Sequence, residues 1–138
     1  MPTNEAITPE RSRKVLPGTF PGDLGIEVVE ITDELARGRM AVDRRHLHPG
    51  GYVHGGAWTA FGDTVAAWGT FRHLPPDTSF TTVEMKTNVF AAAVDGDVLT
   101  ATAQPLHVGR RTQVWEVRIF REERLMANFI ATQMVLSE

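Results

Sequence analysis

The sequence predicts an α+β fold: one long helix laid on one face of a curled antiparallel sheet of five to six strands. Two observations carry this expectation. Only the segment from Gly55 to Phe71 repeats its apolar residues at helical spacing. The segments on either side of it are short, rich in β-branched residues and bounded by turn residues. A helix and a sheet that each have one apolar face bury both most simply by packing on each other.

Residues 1–23 read as an N-terminal arm. They hold four prolines, a basic cluster of Arg11, Arg13 and Lys14, and a short helix around Pro9 to Leu16. Gly25 to Ile31 is the first strand, Thr32-Asp33 a turn, and Leu35 to Val42 the second strand. A Gly- and His-rich stretch, residues 44–56, leads into the helix. There Trp58, Phe61, Val65 and Trp68 recur at spacings of three, four and three and build one broad apolar stripe. Leu74-Pro75-Pro76-Asp77 stops the helix. Ser79 to Phe90, Val98 to Val108, Thr112 to Phe120 and Leu125 to Leu136 are the remaining strands. Asp95-Gly96, Gly109-Arg110 and the charged tip from Arg121 to Arg124 turn the chain between them. Gln113, Trp115, Val117 and Ile119 share one face of their strand. One domain accounts for residues 1–138.

With 42% apolar and 22% charged residues, a chain of 138 residues buries a core without disulfides or metal. There is no cysteine, which excludes a disulfide framework, a thiolate metal site and a cysteine nucleophile. A formal net charge of −3 supplies no basic field for nucleic acid or an anionic membrane. No apolar run approaches the ~20 residues of a membrane span, and no secretion signal is read in the first 24 residues, so a cytoplasmic protein is expected.

Asp63 is the residue that an ordinary amphipathic helix does not explain. It lies almost opposite the centre of the apolar stripe, on a face made of Gly56, Thr59, Ala60, Ala66, Ala67 and Thr70. Small residues let another surface come close, and a second subunit is the expected cover. A lone carboxylate at such a contact has a perturbed pKa, as active-site acids and bases often do. The alternative is a solvated Asp on an Ala-rich helix. His54-Gly55-Gly56 at the helix start is the second signal, because unpaired amides with no Cβ in front of them suit an anion or a developing oxyanion. The alternative is a tight loop-to-helix turn. The nine residues from His54 to Asp63 are expected to put donors and carboxylate along one side of the helix, with room for a substrate carbonyl.

His46, His48 and His54 are the conceivable metal ligands, but Pro49-Gly50-Gly51 follows where a further ligand would be needed, and no metal is expected. For His46, His73 and His107 the favoured role is a loop histidine with satisfied hydrogen bonds. Arg110 and Arg111 suit phosphate oxygens, or are a solvated turn. No Gly-x-Ser-x-Gly elbow, P-loop or dinucleotide fingerprint is present.

Val53-His-Gly-Gly-Ala-Trp-Thr-Ala-Phe-Gly-Asp-Thr-Val-Ala66 resembles the central-helix motif of hotdog-fold acyl-CoA thioesterases of the PaaI-like and 4-hydroxybenzoyl-CoA thioesterase groups. Thr82 to Phe90, Gly96-Asp97 and Val108-Gly-Arg-Arg-Thr112 are similar to the strands that follow in that family. The resemblance implies a helix wrapped by an antiparallel sheet, a homodimer with two active sites at its interface, and a homotetramer of two dimers. It implies an acidic nucleophile or general base at Asp63, a carbonyl-polarising amide at Gly55, a buttressing histidine at His54 and a water-assisting hydroxyl at Thr82. By the same resemblance Arg110 and Arg111 fall where relatives contact nucleotide phosphates. His48 stands where relatives carry Asn or Gln against the thioester, and Ala67 where some carry a hydroxyl.

The expected activity is therefore hydrolysis of an acyl-CoA thioester, aryl, phenylacetyl or medium-chain, to free acid and CoA, with no cofactor. The alternatives are a non-catalytic acyl-CoA or small-ligand binding module on the same fold, and a hotdog hydratase or dehydratase. The Asn-Pro-x-His signature of the latter does not occur between Asp43 and His54.

Overall fold

The computed structural model describes residues 3–137. In chain order it contains α1 (Pro9–Val15), α2 (Phe20–Asp23), β1 (Ile26–Ile31), β2 (Ala36–Ala41), a 3₁₀ turn (Arg44–His46) and α3 (Gly55–Arg72). Four long strands follow: β3 (Ser79–Val89), β4 (Val98–Val108), β5 (Thr112–Arg121) and β6 (Arg124–Leu136). All six strands form one antiparallel sheet in the order β1-β2-β4-β5-β6-β3. The strand and long-helix boundaries expected from the sequence agree within one residue at each end. The short α2 and the 3₁₀ turn were not expected.

The arm is built into the fold. Thr8 caps α1 and Thr19 caps α2, each followed by a proline in the first turn, where a missing N–H costs nothing. The Arg13 guanidinium donates to the Val28 carbonyl at 3.2 Å, so the arm occupies a polar group of the β1 edge.

Helix α3 crosses the concave face of the sheet. The Trp58, Phe61, Val65 and Trp68 stripe is buried as expected, but the buried arc is wider and includes Ala57, Gly62, Ala66, Gly69 and Thr70. Ala66 and Thr70 therefore do not belong to a face that waits for a second subunit; their own chain covers them. The cause is the closeness of β5 and β6. A Cβ built at Gly62 would stand 2.5 Å from Cγ of Phe129, and one at Gly69 would stand 2.5 Å from Cζ3 of Trp115. These glycines are seven residues apart, about two turns, and present one face to the sheet. The strip left exposed at Gly56 and partly exposed beyond it runs through Thr59, Ala60, Asp63 and Ala67.

Trp115 has no freedom to retreat. Its Nε1 donates to Oε1 of Gln113 at 2.8 Å, and Nε2 of Gln113 donates to the His73 and Thr70 carbonyls at the end of α3. Gly69→Ala should therefore lower stability by about 1–3 kcal/mol, because overpacking outweighs the roughly 1 kcal/mol that Ala gains over Gly in a helix. Urea denaturation at fixed protein concentration checks this; an unchanged or raised midpoint would mean that Trp115 yields.

Candidate active site

The approach to α3 is a tight loop. The His48 N–H donates to the Tyr52 carbonyl, the Gly51 N–H to the His48 carbonyl, and the His54 N–H to the His46 carbonyl at 2.7 Å. His54 then caps the helix: its Nδ1 accepts the Gly56 N–H at 2.8 Å, so that ring nitrogen carries no proton. The Gly56 amide is thus engaged within the turn. The Gly55 N–H has no acceptor among the described residues, and the backbone there is exposed. Of the two glycines, Gly55 alone presents an open donor at the positive end of α3.

Asp63 lies on the half-covered strip, and Thr82 of β3 faces it. The Thr82 hydroxyl donates to Oδ1 of Asp63 at 3.2 Å. Burial pushes the Asp63 carboxyl above its usual value, and the Thr82 hydroxyl pulls it partly back. One turn and a little more toward the start of α3, Thr59 Oγ1 lies 2.8 Å from Thr87 Oγ1 of the same strand. Residues 82 and 87 differ by an odd number, so an unbroken strand would point them to opposite faces. A bulge resolves this: the register with β6 shifts between Thr82 and Glu84, inserting Val83 and reversing the phase of the strand. Both hydroxyls therefore reach α3.

Within one chain the Gly55 amide and the Asp63 carboxylate do not flank one carbonyl. Eight residues of helix separate them by about 12 Å along the axis and about 80° around it. The expectation that donors and carboxylate line one side of the helix fails for Gly55. Gly56 does share the meridian of Asp63, but its N–H belongs to His54.

His48 and Tyr52 open a cleft of about 320 Å³ beside the turn, completed by Val53, Trp58, Val89, Phe90, Ala91 and Ala92. Nδ1 of His48 accepts the Gly50 N–H at 2.9 Å. Trp58, a core residue by its spacing, also contributes to the cleft wall. Ala67 is only partly exposed, one turn beyond Asp63. Arg110 and Arg111 are exposed at the turn between β4 and β5, near the far end of α3; Thr70, which Gln113 of β5 contacts, is about 22 Å along the helix from Gly55. The structure does not gather these arginines with Gly55 or Asp63 of the same chain.

Two of the three remaining histidines are satisfied as expected. His46 is buried, accepting the Asp43 N–H at Nδ1 and bonding the Leu24 carbonyl through Nε2 at 2.6 Å. His73 bonds the Gly69 carbonyl and packs edge-on to Trp115. His107 departs from the expected loop role: it lies exposed within β4, beside the register shift after Pro105. Among the described residues no three His, Asp or Glu side chains converge as a metal site requires. No described helix is long and apolar enough to cross a membrane. Sequence reasoning overlooked Gln133, an apolar-facing position on β6 that is fully buried, and the Val83 bulge; strand alternation marks the first, and nothing in the sequence marks the second.

The profile of the thioesterase superfamily matches residues 50–127. The chain is 34% identical over 104 residues to the 1,4-dihydroxy-2-naphthoyl-CoA hydrolase of Listeria monocytogenes, covering 75% of this chain and 84% of that one. It is 30% identical over 131 residues to the Escherichia coli enzyme of the same name, covering 94% and 96%. A solved thioesterase structure from Haemophilus influenzae superposes with a TM-score of 0.92 at 25% identity, over 99% of this chain and 96% of that one.

Asp63 leaves a signature in stability. A carboxyl whose native pKa lies above its unfolded value adds stability only while protonated in the fold, and that contribution disappears as pH rises through the native pKa. Ionised Asp63 is then a net cost at neutral pH. Asp63→Asn should be at least as stable as the parent at pH 7, with an advantage that shrinks as pH falls through the carboxylate range. Denaturation midpoints from pH 4 to 8 test this; an advantage that grows toward acid contradicts the burial of the charge.

Proposed function

Because the chain belongs to the thioesterase superfamily and is a thioester hydrolase, we propose that it cleaves an acyl-CoA thioester to the free acid and CoA at a site shared between two copies of the chain. The observation that carries this reading is the pairing of one half-buried carboxylate, Asp63, with one open helix-terminal amide, Gly55, too far apart to serve one carbonyl from the same chain. A two-fold partner helix running antiparallel along the strip of Gly56, Ala60, Asp63 and Ala67 supplies the missing half.

In this reading the carbonyl oxygen lies on the Gly55 N–H, where the helix dipole favours the charge that develops on it. Asp63 of the other copy takes a proton from the attacking water, or adds to the carbonyl carbon to give an anhydride that water then hydrolyses. On either route the C–S bond breaks and CoA leaves as a thiolate that takes up a proton. A carboxyl raised by burial is the stronger base, so the acid limb of kcat/KM falls above the ordinary carboxylate range. His54 holds the turn, Thr82 orients Asp63, and the His48 and Tyr52 cleft takes the acyl group. Its aromatic walls favour an aryl or phenylacetyl group over a medium-chain one. The two relatives named for naphthoyl-CoA hydrolysis are compatible with an aryl acyl group. Arg110 and Arg111 meet the CoA phosphates, and no cofactor takes part.

The decisive experiment is complementation. Asp63→Asn should lower kcat by about 10²-fold or more. Gly55→Pro removes the amide with little disturbance: Gly55 opens the helix, His54 already has ψ of 141°, and open space surrounds the position. Neither variant should turn over acyl-CoA on its own, whereas refolded mixtures should recover about a quarter of parental activity by random pairing of protomers. No recovery in stable mixed dimers removes the shared site. Arg110→Ala and Arg111→Ala should raise KM for a full CoA thioester and leave a pantetheine thioester unaffected. An unchanged ratio between the two substrates makes the arginines a solvated turn.

A further inference from the structure

Gln133 is a buried polar side chain with no bond to any residue of the candidate site. It is fully buried on the inner face of β6, and neither its Nε2 nor its Oε1 has a hydrogen-bond partner among the described residues. Leaving both ends of a buried amide unbonded costs about 1–3 kcal/mol per group, so an apolar residue there would stabilise the fold. The position is not random. Gln133 pairs in register with Gln113 on β5 and with Thr82 on β3. The three stand side by side across the strands on one face, with Cβ atoms of paired residues about 5 Å apart. Gln113 is fully committed to Trp115, Thr70 and His73. Thr82 is committed only to Asp63.

We propose that Gln133, unbonded in this structure, is the positioning residue of the Asp63–Thr82 pair: a rotation of its side chain brings the amide to the Thr82 hydroxyl beside it in register and holds that hydroxyl in the direction that each protonation state of Asp63 requires. A threonine hydroxyl rotates freely and can turn its proton away from a carboxylate. With Asp63 ionised, Nε2 of Gln133 donates to a lone pair of Thr82 Oγ1, and the hydroxyl proton is left to point at Oδ1. With Asp63 protonated, the carboxyl donates to Thr82 and the hydroxyl turns to Oε1 of Gln133. An amide carries a donor and an acceptor, so a half-turn of its end serves both states. Linked donors strengthen one another, and the gain is larger for the ionised state because its acceptor is charged. Burial and the Thr82 bond are the influences on Asp63, and no charged side chain of the described residues is among them. This inference rests on Asp63 being the reacting carboxylate.

The test uses full-length Gln133→Leu, with Gln133→Met as the unbranched second choice, Thr82→Val and the double variant. Carboxyl ¹³C NMR reads the titration of Asp63, identified by its loss in Asp63→Asn, and steady-state kinetics reads the acid limb. Gln133→Leu should unfold no more easily than the parent, yet raise the Asp63 titration midpoint by about half a pH unit or more. Its kcat should fall by about fivefold with KM within about twofold. In the Thr82→Val background the Gln133 substitution should change neither quantity. If Asp63 titrates as in the parent in both Gln133 variants, or shifts equally without Thr82, Gln133 is only a buried amide and the proposal falls. The NMR result stands apart from activity: a parent protein inert toward acyl-CoA overturns the proposed function while the titration still decides the role of Gln133.

Discussion

The close approach of α3 to β5 and β6 is the contact on which the rest of the molecule depends. Gly62 against Phe129 and Gly69 against Trp115 remove the side chains that would hold helix and sheet apart. With that separation gone, the curled sheet covers more than the apolar stripe and takes Ala66 and Thr70 into the core. What stays open is a narrow strip of small residues with Asp63 among them. Tight packing on one side of the helix thus defines how little is left on the other.

The helix and the strands were legible in the sequence because each has a strong periodic signal or a strong breaker. Trp58, Phe61, Val65 and Trp68 repeat at helical spacing, and Leu74-Pro75-Pro76 marks the end of the helix, expected at Phe71 and found one residue later at Arg72. The width of the buried arc was not legible. Glycine and alanine carry little hydrophobic signal, and whether they face a partner or their own sheet depends on how close the sheet comes. Asp63, His54, Gly55 and Thr82 stood out by residue type and by family resemblance. Which glycine amide stays open is a matter of one hydrogen bond, from Gly56 to His54, that only coordinates reveal.

The Val83 bulge shows the same division between local and tertiary information. Alternation along β3 assigns Thr82 and Thr87 to opposite faces, yet both meet α3. An inserted residue changes the phase of the strand without altering its composition, so it leaves no trace in the pattern. Its structural effect is large: one edge strand delivers a hydroxyl to Asp63 and another to the first turns of α3. Bulges of this kind are commonly found beside active sites, where they re-aim side chains.

Burial of Asp63 and the unbonded amide of Gln133 are two costs that flank Thr82, which bonds the one and pairs in register with the other. A fold selected for stability alone would place an apolar residue at 133 and a neutral one at 63. Both polar groups sit on the route from the sheet interior through Thr82 to the open strip of α3. In the proposed assembly that strip becomes an interface, which dries the carboxylate further and strengthens every hydrogen bond made to it. The assembled site and the paired protomers then form one equilibrium, so dilution that separates the protomers lowers activity and stability together. In the proposed reading this coupling follows from the geometry of α3, because a helix that rises about 1.5 Å per residue cannot bring its own Gly55 and Asp63 to one carbonyl.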